Sequence, residues 1–475
     1  MCPGRPAHNV SVVKTTWPWV FVAVAAAVGA LVAAPVAAAT KPDPATPAET
    51  FAAHTDAPGV AVAVVDLDGH VLDSSTFGRD GNGNPIDTDT PFVWGSVSKS
   101  VTAAAIHDAG VNTDLPVVDA LPFLTRASPL GRNVTVGDLL NHTSGLPHSL
   151  SATDIDRSAG ALEVLEGPDS PLLDVDIDER GGFNYSSLNY LLLQAILERQ
   201  GDLSSLLERS ASGVITSQHE FSDAVPPGHV PVFGLNRPRN VEQDHAGLGY
   251  GYLAGSVDAL ARYAAEQARL RVAGGPGERL PDTLARDGTR YASGWYVDSG
   301  EGATGRGANY RHSGAVPGYF AHVALAPDDR KAVVIVANRY GEMEAGRMSA
   351  EAERTVAAAL DESGSAAASP GRPWGYVLAM VAGGIAVLLL WVRAAFAWRT
   401  RATRSETGAL LEASAVGLAA AAVIAVPAYL GYPVALIARW APDVAILLGA
   451  FGGFAALLAG VCSATALTRR YRRTS

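Results

Sequence analysis

The segment Trp94-Gly95-Ser96-Val97-Ser98-Lys99 is the most informative part of this 475-residue chain. Helix signals run from Ser96 to Ala109 and end at Gly110, so we expect a helix over these residues. A serine three residues before a lysine places both side chains on one face of the first helical turn. A hydroxyl held beside an amine can serve as a nucleophile. The motif is short, so its meaning depends on the segments that accompany it.

The N-terminal residues have the composition of an export signal. Residues 1–16 carry Arg5 and Lys14 but no acidic residue, and residues 17–35 are almost wholly apolar. Residues 37–39 are three alanines, which supply the small side chains that a signal peptidase requires. We therefore predict a signal peptide over residues 1–39, with an uncleaved N-terminal anchor as the alternative because the apolar run is long.

Three apolar stretches near the C-terminus have the length of membrane spans: 374–392, 413–430 and 444–467. Arginine clusters follow the first and the third stretch, which predicts that these two ends are cytoplasmic. The sequence therefore predicts a membrane domain over residues 374–475 with three transmembrane helices. The expected location is the cell membrane, crossed several times, with the preceding domain extracytoplasmic.

Composition divides the residues between these two ends. Residues 40–54 form a proline-rich leader, residues 55–358 a folded domain, and residues 359–373 a linker rich in Ser, Ala, Gly and Pro. Residues 40–372 carry 25 Lys and Arg against 44 Asp and Glu, a net charge of −19. Such a surface repels nucleic acid and anionic lipid headgroups, so neither is expected as a partner.

Several kinds of chemistry are absent from the sequence of the folded domain. The two cysteines, Cys2 and Cys462, lie outside it, which excludes a disulfide or a thiol nucleophile there. The sequence has no glycine-rich phosphate loop and no His-Glu-x-x-His pair. We therefore predict that the protein uses no cofactor and no metal.

Strand signals bracket a middle region that is mostly helical or looped. We expect strands over 60–66, from His70 onward, and over 291–297, 319–326 and 331–337. Helical patterning covers 136–141, 188–199 and 257–272, with Ser256 as the N-cap of the last. Residues 213–247 are rich in Pro and Gly, and we expect either a rim over a cleft or a disordered surface loop.

Three further segments accompany the opening motif. They are Asn141-His142-Thr143-Ser144-Gly145-Leu146, Phe183-Asn184-Tyr185-Ser186-Ser187-Leu188-Asn189-Tyr190 and His312-Ser313-Gly314-Ala315-Val316-Pro317-Gly318-Tyr319. In this order and at these spacings, residues 55–340 resemble the serine β-lactamase and penicillin-binding protein superfamily. The resemblance is closest to the branch of class C β-lactamases, D-Ala-D-Ala carboxypeptidases, D-aminopeptidases and related esterases. It implies an α+β fold, an antiparallel sheet flanked by helices with an inserted, mainly helical lobe.

The resemblance also implies roles for individual residues. Ser96 corresponds to the acylated nucleophile and Lys99 to its neighbour one helical turn on, while Tyr185 and His312 match the family's tyrosine and its strand motif. The backbone amides of Ser96 and Ala315 correspond to the oxyanion hole. Free Tyr and Lys have pKa values of about 10 and 10.4, too high for a base at neutral pH. Their surroundings must lower one of them, and the sequence leaves Tyr185 and Lys99 as alternatives.

One position departs from the family pattern. Ser187 stands two residues after the tyrosine, where the family usually has an asparagine that contacts substrate, and a hydroxyl donates only one hydrogen bond. This departure counts against a β-lactamase more than against a hydrolase in general. The residues expected to contact substrate are Ser187, Ser313 and Gly314. We assign His142 to structure, and we consider Arg306 and Arg311 for binding a substrate carboxylate.

The expected function is that of a membrane-tethered serine hydrolase that forms an acyl-enzyme at Ser96. The leading substrates are small molecules or peptides containing D-amino acids of the peptidoglycan type, and an esterase or a β-lactamase with the same centre is the alternative. A second class of function is a penicillin sensor or scaffold without turnover. The short expected cytoplasmic segments, 393–407 and 468–475, contain no signalling domain and count against it.

Overall fold

The computed structural model describes most of residues 46–360 and a short part of the C-terminal region. The described residues are 46–124, 130, 133–148, 153, 157–173, 175, 180–272, 283–284, 290–298, 309–360, 385, 425, 432–450, 452–453 and 460. The predicted signal peptide, residues 1–39, and the predicted linker, residues 359–373, lie outside this set except for residues 359 and 360. Both remain predictions.

The described core is built on an antiparallel sheet of eight strands in the order β2-β1-β12-β11-β10-β9-β8-β7. Two small two-stranded sheets, β3 with β6 and the hairpin of β4 with β5, lie outside it. The strands are β1 Gly59–Asp66, β2 Val71–Gly78, β3 Phe92–Val93, β4 Gly228–Val232, β5 Leu235–Arg239, β6 Ala254–Gly255, β7 Thr283–Leu284, β8 Arg290–Ala292, β9 Trp295–Asp298, β10 Asn309–Val316, β11 Tyr319–Ala326 and β12 Lys331–Ala337.

We number eleven α-helices in the described residues, and most of those between β2 and β7 pack on one another as a helical lobe. They are α1 Pro47–Thr55, α2 Ser98–Asp108, α3 Val117–Ala120, α4 Val136–Leu140, α5 Ala161–Glu166, α6 Ser187–Gln200, α7 Leu203–Ser210, α8 Gln218–Ala224, α9 Val257–Val272, α10 Ala345–Ala359 and α11 Val434–Trp440. This arrangement confirms the α+β architecture that the sequence predicted.

Alternation along the central strands gives the sheet two buried faces. In β1, Ala61, Ala63 and Val65 face one apolar cluster, whereas Val60 and Val62 face another. Helix α9 packs on the first face, and α1 and α10 pack on the second. Because both faces are covered, these strands are continuous apolar runs rather than alternating ones. These long apolar runs explain why strands could be predicted over 60–66, 319–326 and 331–337.

Elements differ from expectation where turns or caps interrupt a pattern. The predicted strand 291–297 is two strands, β8 and β9, joined by a turn in which Ser293 and Gly294 have φ angles of 42° and 85°. Helix α1 begins at Pro47, inside the predicted leader, because Thr46 and Glu49 form a capping box. Residues 213–247, expected as a loop, contain α8 and the β4–β5 hairpin.

The prediction of three C-terminal transmembrane helices is wrong for the part of the chain that the structure describes. Within that part, no helix has both the length and the apolar character needed to cross a bilayer. The stretches 374–392 and 413–430 lie outside the described residues except for residues 385 and 425, as does most of 451–467.

A buried arginine joins the sheet to the segment that follows it. Arg339 is 1% exposed, and its guanidinium donates to Glu344 Oε1 at 3.1 Å, Asn236 Oδ1 at 2.6 Å and Thr55 O at 2.7 Å. These partners belong to the turn after β12, to β5 and to α1. Arg347 also contacts Glu344, at 2.8 Å. The network therefore fixes residues 339–344, which border the cleft described below.

Replacing Arg339 by leucine should destabilise the fold by about 3 kcal/mol, because it leaves a buried carboxylate and two buried acceptors with fewer partners. Urea denaturation followed by tryptophan fluorescence measures this loss. Arg237→Leu, at an exposed position of β5, is the control and should change stability by less than about 0.5 kcal/mol. Equal stability of the two variants would show that the network contributes nothing.

Candidate active site

The candidate site is centred on the turn that leads into α2. Residues Gly95–Val97 form one turn of 3₁₀ helix, and α2 continues from Ser98. Ser96 is partly exposed, whereas Lys99 is completely buried. Gly95 has a φ of 54°, a left-handed conformation that glycine adopts without a steric penalty. The local fold thus leaves the Ser96 hydroxyl open to the cleft and places the lysine beneath it.

Three acceptors surround the amine of Lys99. Lys99 Nζ lies 3.1 Å from Ser96 Oγ, 3.3 Å from Ser187 Oγ and 2.7 Å from the carbonyl oxygen of Tyr250. Ser187 is the first residue of α6, and Tyr250 belongs to a π-helical turn, Leu248–Tyr252. The amine therefore joins three separate elements at one point, and the predicted Ser96–Lys99 contact is present.

Tyrosine rings enclose the same amine. Lys99 Nζ is 5.0 Å from the ring centroid of Tyr185, 5.7 Å from that of Tyr250 and 5.9 Å from that of Tyr190. Tyr185 lies immediately before the N-cap of α6, Ser186, so the start of that helix sets its position. At these distances an aromatic face attracts a cation. Tyr185 and Ser96 both line the cleft.

His142 holds the backbone on both sides of Tyr185. Its carbonyl accepts from Asn184 N at 2.8 Å, and its ring Nδ1 accepts from Ser186 N at 3.2 Å and from Asn189 Nδ2 at 2.9 Å. The ring also lies 4.5 Å from the Tyr185 ring, centroid to centroid. Since Nδ1 accepts two hydrogen bonds, the ring is neutral, and burial lowers its pKa well below 6.5, with a smaller contribution from Lys99. His142 is a positioning residue for the tyrosine.

Two backbone segments meet at the predicted oxyanion hole. A Cβ on Gly95 would collide with the amide nitrogen of Ala315, and a Cβ on Gly314 would lie 2.7 Å from the amide nitrogen of Ser96. Val316 and Tyr319 flank the two-residue turn of the β10–β11 hairpin, so the next pair, Ala315 and Phe320, is a non-hydrogen-bonded pair. The Ala315 N–H therefore points away from β11, toward the turn that carries Ser96.

His312 is buried beneath the cleft rather than exposed in it. It is 2% exposed, its Nδ1 lies 2.7 Å from the carbonyl oxygen of Ser313, and its ring centroid is 6.3 Å from that of Tyr185. Burial, reinforced by the charge of Lys99, lowers its pKa to about 3, so the imidazole is neutral at physiological pH. Its neighbour Ser313 does line the cleft, with Oγ 2.8 Å from His322 Nδ1.

The cleft has a volume of about 250 Å³ and contains most of the residues predicted to contact substrate. Ser187, Ser313, Gly314 and Ala315 all line it together with Ser96. A larger cavity of about 630 Å³, bordered by residues 218–227 and 240–243, contains none of the predicted site residues. The smaller cleft is the one that combines a hydroxyl, an amine and free backbone amides.

Arg311 does not take the place considered for it. Arg311 is paired with Glu353, 2.6 Å away, and with Asp298, 3.0 Å away, so its guanidinium is already neutralised. Arg306 lies outside the described residues.

Sequence reasoning missed Tyr250, Tyr340, Glu342 and Trp440. Tyr250 acts through its carbonyl, and a backbone group leaves no mark in a sequence. The other three residues line the cleft from segments far along the chain. Nothing in their local sequence indicates this proximity.

One group of possible metal ligands occurs among the described residues, formed by Asp66, Asp68 and His70 in the β1–β2 turn. The Asp66 carboxylate already accepts from Asp68 N and from His70 N, each at 2.9 Å, which accounts for the cluster as turn structure. It lies outside the cleft.

Comparisons with known proteins agree with this architecture. A family model described as Beta-lactamase matches residues 47–358. Penicillin-binding protein 4 of Amycolatopsis lactamdurans is 28% identical over 336 residues, which cover 59% of this chain and 81% of that protein.

Solved structures show the same fold. The octameric penicillin-binding protein homologue from Pyrococcus abyssi aligns with a TM-score of 0.53 and 20% identity, covering 66% of this chain and 75% of its own. The β-lactamase/D-alanine carboxypeptidase from Pseudomonas syringae aligns with a TM-score of 0.53 and 17% identity, covering 67% and 98%. The class C β-lactamase from Rhodobacter sphaeroides aligns with a TM-score of 0.50 and 19% identity, covering 66% and 97%.

The buried neutral state of His312 predicts how stability depends on pH. In the unfolded chain a histidine binds a proton below a pKa of about 6.5, whereas folded His312 stays neutral down to about pH 3. The contribution of neutral His312 to the free energy of unfolding is therefore fully present above pH 6.5 and is lost as the pH falls below that value. Lowering the pH from 7.5 to 5 should cost the wild type about 2 kcal/mol through this residue.

Urea denaturation at the two pH values measures the loss. His312→Gln should lose about 2 kcal/mol less than the wild type over the same interval. His219→Gln removes an exposed histidine on α8 and should behave like the wild type. An equal pH dependence in His312→Gln and the wild type would contradict a neutral buried imidazole.

Proposed function

The chain belongs to the beta-lactamase family, and from this premise we propose that it is a serine hydrolase that forms an acyl-enzyme at Ser96. The observation that carries the proposal is the 3.1 Å contact between Ser96 Oγ and Lys99 Nζ at the bottom of an open cleft. A nucleophilic serine needs a proton acceptor within hydrogen-bond reach, and Lys99 meets that requirement.

Acylation follows from the groups around Ser96. Its Oγ attacks the carbonyl carbon of the substrate while its proton passes to Lys99 Nζ, which becomes an acceptor once the ammonium group has lost a proton. The negative charge that develops on the carbonyl oxygen is stabilised by the amides of Ser96 and Ala315. Collapse of this intermediate breaks the bond to the leaving group, which takes the proton back from Lys99. Tyr185 is the alternative proton acceptor, since its ring borders both the amine and the cleft.

Deacylation returns the enzyme to its starting state by the same chemistry. A water molecule attacks the ester carbonyl of the acyl-enzyme and loses a proton to Lys99. The oxyanion again accepts hydrogen bonds from the amides of Ser96 and Ala315. The bond to Ser96 Oγ then breaks, and the oxygen regains a proton from the amine. Each step conserves the proton within the site.

The leading substrates are peptides containing D-amino acids of the peptidoglycan type. Two similarities support this choice, the penicillin-binding protein of Amycolatopsis lactamdurans and the β-lactamase/D-alanine carboxypeptidase of Pseudomonas syringae. The composition of residues 1–39, typical of an export signal, also favours a site of action outside the cytoplasm, where such peptides occur.

An esterase is the second candidate, and Ser187 is the observation that favours it. Its Oγ accepts a hydrogen bond from Lys99, 3.3 Å away, and it occupies the position where the family usually has an asparagine. A hydroxyl that accepts from the lysine keeps a single O–H donor, whereas an asparagine side chain offers a substrate amide both a carbonyl oxygen and two N–H donors. An ester requires less of this contact than a peptide or a β-lactam does.

The first test is covalent labelling of the purified protein by a fluorophosphonate and by a fluorescent penicillin. The wild type should be labelled and Ser96→Ala should not, because the attacking oxygen is gone. Ser98→Ala is the matched control, since Ser98 Oγ accepts a hydrogen bond from Leu253 N and the residue is not among those that line the cleft. Labelling of Ser96→Ala equal to that of the wild type would exclude Ser96 as the nucleophile.

Turnover assays on the same variants separate the substrate classes. Release of D-alanine supports the peptidase, opening of a chromogenic cephalosporin supports a β-lactamase, and hydrolysis of esters alone supports the esterase. Labelling without any turnover would support a penicillin sensor or scaffold.

Two variants identify the proton acceptor. Lys99→Met should lose labelling if Lys99 accepts the proton, whereas Tyr185→Phe should lose labelling if Tyr185 does.

A second prediction concerns the oxyanion hole. Gly314→Ala places a methyl group against Trp94 O and Ser96 N, which displaces the turn and one of the two amides. The rate of acylation by the fluorophosphonate should fall by about 100-fold, the cost of losing one such donor. Gly201→Ala adds the same methyl group in open space at the end of α6 and should leave the rate unchanged. Equal rates would exclude Ser96 N and Ala315 N as the oxyanion donors.

A further inference from the structure

We propose that one wall of the cleft, formed by Tyr340, Glu342 and Trp440, binds an ammonium group of the substrate. We call these three residues the acidic wall, and all of them line the same cleft as Ser96. The proposal rests on the acyl-transfer function above and names the substrate class of that site, an ester or amide that carries a primary amine.

Glu342 supplies the charge of the acidic wall. It begins a single 3₁₀ turn, Glu342–Glu344, and its side chain is exposed to the cleft mouth. Its Oε2 accepts a hydrogen bond from Tyr340 OH at 3.2 Å. In the part of the chain that the structure describes, no Lys, Arg or His forms an ion pair with it, in contrast to Glu344 and Glu353. A second carboxylate oxygen is therefore available to a ligand.

The aromatic residues supply a second contact for a cation. The Trp440 ring packs edge-on against the Tyr340 ring, with centroids 6.2 Å apart and an interplanar angle of 89°. An indole face is the best aromatic partner for an ammonium group. A carboxylate next to tryptophan and tyrosine therefore forms a corner that favours a compact cation over an anion or a purely apolar group.

The part of the acidic wall that follows the sheet is held rigidly by hydrogen bonds and an ion pair. Tyr340 N donates to His229 O at 3.1 Å, and Tyr340 O accepts from Gly318 N at 3.0 Å. The preceding residue is the buried Arg339, whose ion pair with Glu344 spans the 3₁₀ turn. A preorganised charge loses less free energy on binding than one that must first be ordered.

Trp440 is also held, although it comes from the far end of the chain. Helix α11 ends at this residue, and Arg239 Nη1 donates to the carbonyl of Arg439 at 3.1 Å. Arg439 Nη2 in turn donates at 3.2 Å to the OH of Tyr252, the last residue of the π-helical turn that contacts Lys99. These contacts fix the tryptophan against the mouth of the cleft by backbone and side-chain bonds.

The test compares two substrates that differ only in charge, a D-alanyl peptide or ester with a free primary amine and the same compound with that amine acetylated. The measured quantity is the ratio of the two kcat/KM values, amine over acetylated. Glu342→Gln should lower this ratio about fivefold, the usual size of an exposed ion pair. Glu208→Gln, at an exposed position on α7, should keep the wild-type ratio.

Two further measurements separate charge from packing. The wild-type ratio should fall as salt is raised from about 0.01 to about 0.5 M, because salt screens an exposed ion pair, and the ratio of Glu342→Gln should change less. Trp440→Leu should lower the ratio about threefold through loss of the aromatic face, whereas Trp440→Phe should retain most of it.

The outcomes distinguish the subsite from the activity itself. If Ser96 is labelled by the fluorophosphonate but Glu342→Gln keeps the wild-type ratio, the acidic wall is excluded and the acyl-transfer function stands. If Ser96 is not labelled, the proposed function fails first, and the ratio cannot arise from this site. A lower ratio in Glu208→Gln equal to that in Glu342→Gln would show a general effect of net charge and would also exclude the subsite.

Discussion

The site depends on a contact between two backbones, the turn at residues 94–96 and strand β10 at residues 314–315. Gly95 and Gly314 make this contact possible, since a Cβ on either would meet the other segment. Because main chain meets main chain, the two amide donors are placed by the fold and not by side-chain rotamers. Preorganised donors of this kind need no reorganisation during reaction.

The helical lobe and the sheet contribute different parts of the site, and Lys99 is where they join. The sheet provides Ala315 and the buried His312, while the 3₁₀ turn before α2, helix α6 and the π-helical turn provide Ser96, Ser187 and the Tyr250 carbonyl. Gln194 of α6 and Thr102 of α2 also bond to the Gly249 backbone, with distances of 2.7 and 2.9 Å. A buried amine with acceptors on three elements resists any displacement of one of them.

The sequence predicted well what depends on local pattern. Strands with both faces buried form long apolar runs, and the four motifs, with Ser96 and His312 among them, could be recognised by their resemblance to a known family. Two local signals were overridden by longer patterns: the Ser293-Gly294 pair divides the strand expected over 291–297, and the capping box at Thr46 starts a helix inside the proline-rich leader. The sequence predicted poorly what depends on tertiary contact. The Trp440 ring packs against Tyr340, and Arg239 donates to the carbonyl of the preceding residue, Arg439, contacts that no local pattern indicates.

The electrostatics around Lys99 restrict where a proton can go. Burial lowers the pKa of His312 to about 3 and raises that of Tyr291 well above 10, so neither exchanges a proton at neutral pH. Burial likewise keeps His142 neutral. None of these three groups competes for the proton that Ser96 would lose in the proposed reaction. In that reaction the proton remains with Lys99 or Tyr185 until the leaving group takes it, as acyl transfer requires.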